Sequence, residues 1–185
     1  YKDDLKCPYM DELIAGIEHE LMKDFRLGFQ FIYKQNKNIT EDTDPNNGWE
    51  ADKLDDQGRP IWLPYTFTDP GWDRQFGTGD DQQLTVYGLA SYAPTQNYLG
   101  DNPPGCERKY IAGVLTFDKR MSNRWQLRGS ILYSAFKGNA DHDYGGAEGE
   151  TTLYDNPNSL TNAYGRIRYD RPLNIKVLGT YILPY

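Results

Sequence analysis

The stretch DPGWDRQFGTGDD, residues 69 to 81, sets Asp69, Asp73, Asp80 and Asp81 among glycines. Carboxylate oxygens on a loop that glycine can bend suit a calcium ion. The spacing is not that of an EF-hand, since no Glu closes a twelve-residue loop. A plain acidic turn is the simpler reading. Around it stand Trp49, Trp62, Tyr65, Phe67 and Trp72. Exposed rings there could stack on sugars or hold a peptide, and they could equally form the small core of an ordered loop. Trp49, Trp62, Tyr65 and Trp72, with Tyr144 farther on, form the candidate ligand-binding set. His19 and His142 are isolated, and the carboxylates beside them give no metal spacing. The HDYGG stretch around His142 reads as solvated loop. No nucleophile elbow, phosphate loop or paired-carboxylate constellation stands out from the acidic background. The chain therefore reads as non-enzymatic. No cofactor other than that calcium is expected.

The elements that carry these residues announce themselves by a period of two. In RMSNRWQLRGSILYSAF (120–136), Trp125, Leu127, Gly129, Ile131, Tyr133 and Ala135 share one face, and the mostly polar Gln126, Arg128, Ser130, Leu132, Ser134 and Phe136 share the other. FRLGFQFIYKQ repeats the pattern. Phe25, Leu27, Phe29, Phe31 and Tyr33 lie opposite Arg26, Gly28, Gln30, Ile32 and Lys34. MDELIAGIEHELMKDF (10–25) fits a helix and a strand equally well. Its connector to the next segment, Met22 to Asp24, leaves room only for a tight turn, so a hairpin is the economical reading. Glu18 and Glu20 on one strand could then pair with Arg26 and Gln30 on the other. The segments RKYIAGVLTFDKR and LNIKVLGTYILPY complete a set of five strands of about ten residues, the length that crosses a bilayer at a tilt.

Connections alternate in length. Short turns fall at 22–24 and 121–124. Long segments rich in Gly, Pro, Asp and Asn span 36–108 and 137–172, and QQLTVYGLASY (82–92) inside the first reads as part of an external hairpin. Structureless connections this long are uncommon in a compact soluble domain. Short turns on one side and long loops on the other fit an outer-membrane barrel. The expected class is all-β: an antiparallel transmembrane β-barrel segment forming part of one domain over 1–185. Phe29, Phe31, Leu115, Phe117, Leu127, Ile131 and Val177 are expected to face lipid.

Composition allows this. Mean hydropathy is -0.79, and no apolar run approaches the roughly 18 residues of a spanning helix. A barrel needs apolar residues only at alternate positions. Aromatics make up 14% of the chain, with 15 Tyr and 4 Trp, which suits a membrane-interface belt. A net charge of -7 without a basic stripe argues against nucleic acid. The chain opens on Tyr-Lys-Asp-Asp and ends on Pro184-Tyr185. Both ends are read as cuts in a longer protein.

The stretches TDPGWDRQFGTGDDQQLTVYGL, ERKYIAGVLTFDKRMSNRWQLRGSILYSAFKGNA and NAYGRIRYDRPLNIKVLGTYILPY resemble the barrel of TonB-dependent outer-membrane receptors. The closest likeness is to those with an N-terminal carboxypeptidase-regulatory-like domain. The resemblance implies a 22-stranded barrel in the bacterial outer membrane, closed by a plug domain that this sequence lacks. It implies ligand capture by external loops and uptake energised by TonB, with lipid and the rest of the receptor chain as further partners. Its motifs are structural, so they leave the cargo open. Under it, Cys7 and Cys106 both lie on the outer, oxidising side, where a Cys7–Cys106 disulfide is permitted. A soluble β-sandwich binding module and a structural barrel subunit of a surface complex remain as alternatives.

Overall fold

In the computed structural model, residues 1–140 and 154–184 are described. Ten strands follow in chain order: β1 (Tyr9–Met22), β2 (Phe25–Lys37), β3 (Glu41–Thr43), β4 (Trp62–Asp69), β5 (Gln82–Leu89), β6 (Leu99–Asp101), β7 (Arg108–Ser122), β8 (Trp125–Gly138), β9 (Gly165–Arg166) and β10 (Leu173–Tyr181). One 3-10 turn covers Pro157–Leu160, and there is no α-helix among the described residues. The strands divide between two compact units.

The first unit is an antiparallel sheet in the order β1-β2-β7-β8-β10, with β9 adding to β8. The ambiguous segment before Asp24 is strand throughout. Its register runs from Tyr9↔Lys37 to Met22↔Phe25, with one shift between Glu20 and Met22. The pairing with β2 decides between the two templates, because a helix would leave the apolar side of β2 without a matching strand. Asn123 and Arg124 carry φ of 51° and 68° at the β7–β8 turn. Two left-handed residues give the primed turn whose twist suits flanking strands. The turns are tied together, since the Arg120 amide donates to the Asp24 carbonyl at 2.8 Å.

The outer edge of β8 is satisfied in two ways. β10 pairs with its first half, from Trp125 to Tyr133. Beyond that, the RIRYDRP stretch takes over. The Phe136 amide donates to Asp170 Oδ1 at 3.0 Å, Ser134 Oγ donates to the Arg171 carbonyl at 3.0 Å, and Arg166 pairs with the Asp170 carboxylate.

The second unit comprises Tyr1–Lys6, Thr40–Pro103 and the described residues of 142–163. It is built on two small sheets, β3–β6 and the β4–β5 hairpin. QQLTVYGL is thus one arm of a hairpin, as its pattern suggests, and residues 62–69 are the other. Buried Ile61, Trp62, Ala90 and Tyr154 form the unit's core. Asn158 extends β5 by mimicking a strand. Its Nδ2 donates to the Tyr87 carbonyl and its Oδ1 accepts the Tyr87 amide, both at 2.8 Å.

Candidate functional site

Because all five long strands pair in register, alternate residues fall into rows that run across the sheet. One row reads Ile17, Phe29, Leu115, Ile131, Ile175, and the next His19, Leu27, Phe117, Gly129, Val177. All seven residues expected to face lipid lie on this odd-numbered face. Phe29 is 49% exposed and Val177 62%, and Phe31, Leu115 and Ile131 are exposed too. Phe117 and Leu127 are half-buried, Phe117 because its ring lies across Gly129. The band runs from Phe25 to Tyr33, eight steps of about 3.4 Å or roughly 27 Å along the strand. A tilt near 40° reduces that to about 21 Å, close to the apolar height of an outer-membrane barrel. Its rims are marked by amphipathic groups. At the turn end Lys119 Nζ sits 4.8 Å from the Trp125 ring centroid, and at the other end Lys37 Nζ sits 5.8 Å from that of Tyr9.

The even-numbered face differs. Glu20, Arg26, Asp118 and Arg128 form one row of alternating sign. Arg128 Nε donates to Asp118 Oδ2 at 2.6 Å, and Arg26 Nε lies 3.3 Å from Glu18 Oε1. Glu18 therefore pairs with Arg26, while Glu20 sits opposite Arg26 in register with its carboxylate accepting the Asp24 amide, and Gln30 sits opposite Gly16. A concavity of about 550 Å³ opens beside Arg26, Asp118, Arg128 and Lys176. Toward the long connections the same face becomes aromatic. Tyr110 and Phe136 meet edge-to-face at 5.9 Å and, with Leu132, Tyr169 and Arg171, line a cavity of about 360 Å³. Tyr110, Leu132 and Phe136 share the parity of this face, but nothing in the sequence separates them from the charged row below.

The loop-borne candidates divide. Trp62 is 4% exposed, and its Nε1 donates to the carbonyls of Asn47 and Gly48 at 3.2 and 3.3 Å. Trp49 packs edge-to-face on Tyr154 at 5.1 Å. Both pack within the loop unit, Trp62 buried and Trp49 half-buried. Tyr65 and Trp72 are exposed, Trp72 at 98%. Tyr144 lies outside the described residues.

The four carboxylates of 69–81 act on their own backbone. Asp80 Oδ2 accepts the amides of Trp72 and Asp73 at 2.8 and 3.4 Å, and its Oδ1 accepts the Thr78 hydroxyl at 2.7 Å. That hydroxyl and those amides hold the Asp80 carboxyl below the usual carboxylate range. Asp69 accepts from Gly71, Asp73 from Gln75 and Asp81 from Gly77. Among the described residues, no group of three or more His, Cys, Asp or Glu is placed to hold a metal ion. Buried Asp44 does comparable work in the loop core, where its Oδ1 accepts the amides of Asn46, Asn47 and Asn97.

The decisive comparison is with known families: the model of an outer membrane beta barrel domain matches residues 1–185. The chain belongs to this family. It is an all-β outer-membrane barrel domain, and its five long strands are the spanning ones. No curated protein and no solved structure gives a match. No described helix is long and apolar enough to cross a membrane. In this family crossing is done by strands.

Of the two cysteines of the barrel domain, Cys7 precedes β1 and is exposed, and Cys106 precedes β7 and is buried; β2 lies between those two strands.

Proposed function

We propose that this barrel domain is part of a TonB-dependent receptor. In this reading the odd-numbered face meets lipid and the even-numbered face lines the lumen. The short turns at 23–24 and 123–124 are periplasmic, and residues 38–107 and 139–172 form the extracellular side. That side captures ligand, a plug supplied by the rest of the receptor chain fills the lumen, and TonB energises uptake. The domain itself performs no covalent chemistry.

The observation that carries the reading is the contrast between the two faces of one sheet. Phe29, Leu115, Ile131 and Val177 form an exposed apolar band of bilayer height, while Arg26, Asp118 and Arg128 form a charged row one residue out of phase. A soluble sandwich would bury the first set, and an apolar patch of that size is a liability in water. Ordered loops support the capture role. Residues 38–107 carry a packed core and a hairpin that presents Tyr65 and Trp72.

The test is to fractionate the source cells and measure the intact mass of the polypeptide that contains residues 120–136. A chain several times longer than these 185 residues, in the outer membrane and cross-linkable to TonB, supports the receptor. An outer-membrane chain that never contacts TonB would leave a barrel without energised transport.

A further inference from the structure

We propose that the turn end of the odd-numbered face is a docking site for an anionic glycerophospholipid, whose phosphate is held by Lys119, Lys23 and the Trp125 indole N–H. The proposal rests on the reading that this face meets lipid and that the short turns are periplasmic. It goes beyond that reading by naming a lipid class and the residues that select it.

The sheet treats its cations differently at its two ends. Near the long connections, Lys34 and Lys37 of β2 each meet a carboxylate of β1, Glu12 and Asp11, at 2.7 Å. On the even-numbered face, Arg26 and Arg128 are paired with Glu18 and Asp118. At the turn end, Lys23, Lys119, Arg120 and Arg124 make no ion pair among the described residues. The acids of that end are Glu20 and Asp24, and Glu20 accepts the Asp24 amide. Positive charge is thus left over there, in a chain whose net charge is -7. Cations held at a membrane surface attract anionic headgroups.

Register brings the donors to one rim. Lys119 lies opposite Phe25, and the Arg120 amide is bonded to the Asp24 carbonyl at 2.8 Å, so the turn that carries Lys23 stands beside the end of β7. The Lys119 head is fixed in place. Its Nζ donates to the Arg120 carbonyl at 2.8 Å and to Ser122 Oγ, and it sits 4.8 Å from the Trp125 ring centroid. Both acceptors are neutral, so they hold the ammonium without cancelling its charge, and one of its three protons is left to donate. The Trp125 Nε1 donates no hydrogen bond among the described residues. Trp125 and Tyr181, its partner on β10, are both exposed. A phosphate diester supplies acceptors for the indole N–H and both ammonium groups. The apolar band beside them selects an occupant with acyl chains over a free phosphate. Odd-numbered positions at this end carry two lysines and no carboxylate, so the ammonium of a zwitterionic headgroup meets no counter-charge.

The experiment uses the full-length protein purified from outer membranes in a mild detergent. Native mass spectrometry follows its titration with phosphatidylglycerol, with phosphatidylethanolamine of the same acyl chains, and with glycerol 3-phosphate. Phosphatidylglycerol is expected to bind more tightly than phosphatidylethanolamine. The double variant Lys23→Gln/Lys119→Gln is expected to weaken its tightest site roughly tenfold or more, at about fivefold per charge. Trp125→Phe keeps a ring and removes the N–H, and is expected to weaken that site a few-fold. The control Lys34→Gln/Lys37→Gln removes two paired lysines at the other end and is expected to leave it unchanged. The thermal midpoint of each variant checks folding. Equal affinity for the two lipids, no change in Lys23→Gln/Lys119→Gln, or the same loss in the control would overturn the site. So would glycerol 3-phosphate binding as tightly as the lipid, which marks a plain anion site. Lipid preference in a chain that never contacts TonB would sink the receptor reading and leave this site standing. TonB contact without lipid preference would do the reverse.

Discussion

The Phe117 ring reaches over Gly129 on the neighbouring strand. A Cβ added at Gly129 would stand 2.8 Å from Phe117 Cε2 and 2.6 Å from the Lys176 carbonyl oxygen. The glycine leaves the backbone bare, and the aromatic ring covers it from the next strand, a compensation seen in sheets that carry interior glycines. Gly129→Val is expected to cost about 1–3 kcal/mol through overpacking. Denaturant unfolding of the protein in lipid vesicles checks this. Phe117→Ala in the same background should recover part of the loss, since it removes one of the two obstructing groups.

The two faces of the sheet should answer a new charge differently. Phe29→Arg is expected to cost about 2–4 kcal/mol near the bilayer midplane. Gln30→Arg, one residue later and on the opposite face, is expected to cost less than about 1 kcal/mol. Urea midpoints for both variants, folded into the same vesicles, measure the difference directly. Equal costs would mean the faces see the same solvent.

Trp62 and Trp72, ten residues apart, should differ as strongly. Trp62→Ala removes a buried ring and two indole hydrogen bonds and is expected to cost the loop unit about 3–5 kcal/mol. Trp72→Ala removes an exposed ring and is expected to stay within about 0.5 kcal/mol. Native-state hydrogen exchange across residues 41–101 checks both.

Asp155 gives the loop unit a pH dependence. Burial, and then the charges of Asp42 and Asp44, raise its carboxyl above the ordinary value, and its Oδ1 is buried without a hydrogen-bond partner. The folded state therefore holds this proton more tightly than the unfolded chain does. As pH rises from the ordinary carboxylate value of about 3.9 through the higher folded value, the group contributes a loss of stability. Asp155→Asn should relieve that loss. Its thermal midpoint is expected to exceed the parent's at pH 7 and to converge on it near pH 4.

Much of the sheet is legible in the sequence, because its signal is local. Alternation at Phe25–Tyr33 and Trp125–Ala135 sets strand and face together, and the short connectors set which strands pair. The loop unit is less legible. β3 and β6 pair Glu41–Thr43 with Leu99–Asp101, more than fifty residues apart and three residues long, so no periodicity reveals them. The aromatic residues of that unit look alike in sequence. Whether Trp62 packs inward or Trp72 outward depends on where the hairpin meets the core. The same holds for Asp69, Asp73, Asp80 and Asp81. Their residue type suits a cation, but the amides of Gly71, Trp72, Gln75 and Gly77 engage them first.

The central claim is that alternate residues of these strands see lipid. Nitroxide labels placed singly at Phe29, Leu115 and Ile131, and at their neighbours Gln30, Thr116 and Ser130, test it in native outer membranes by power-saturation spectroscopy. High accessibility to oxygen at the first three and to a water-soluble nickel reagent at the second three is the expected result. Labels at the first three that reach neither reagent, shielded as in a packed protein core, would contradict it.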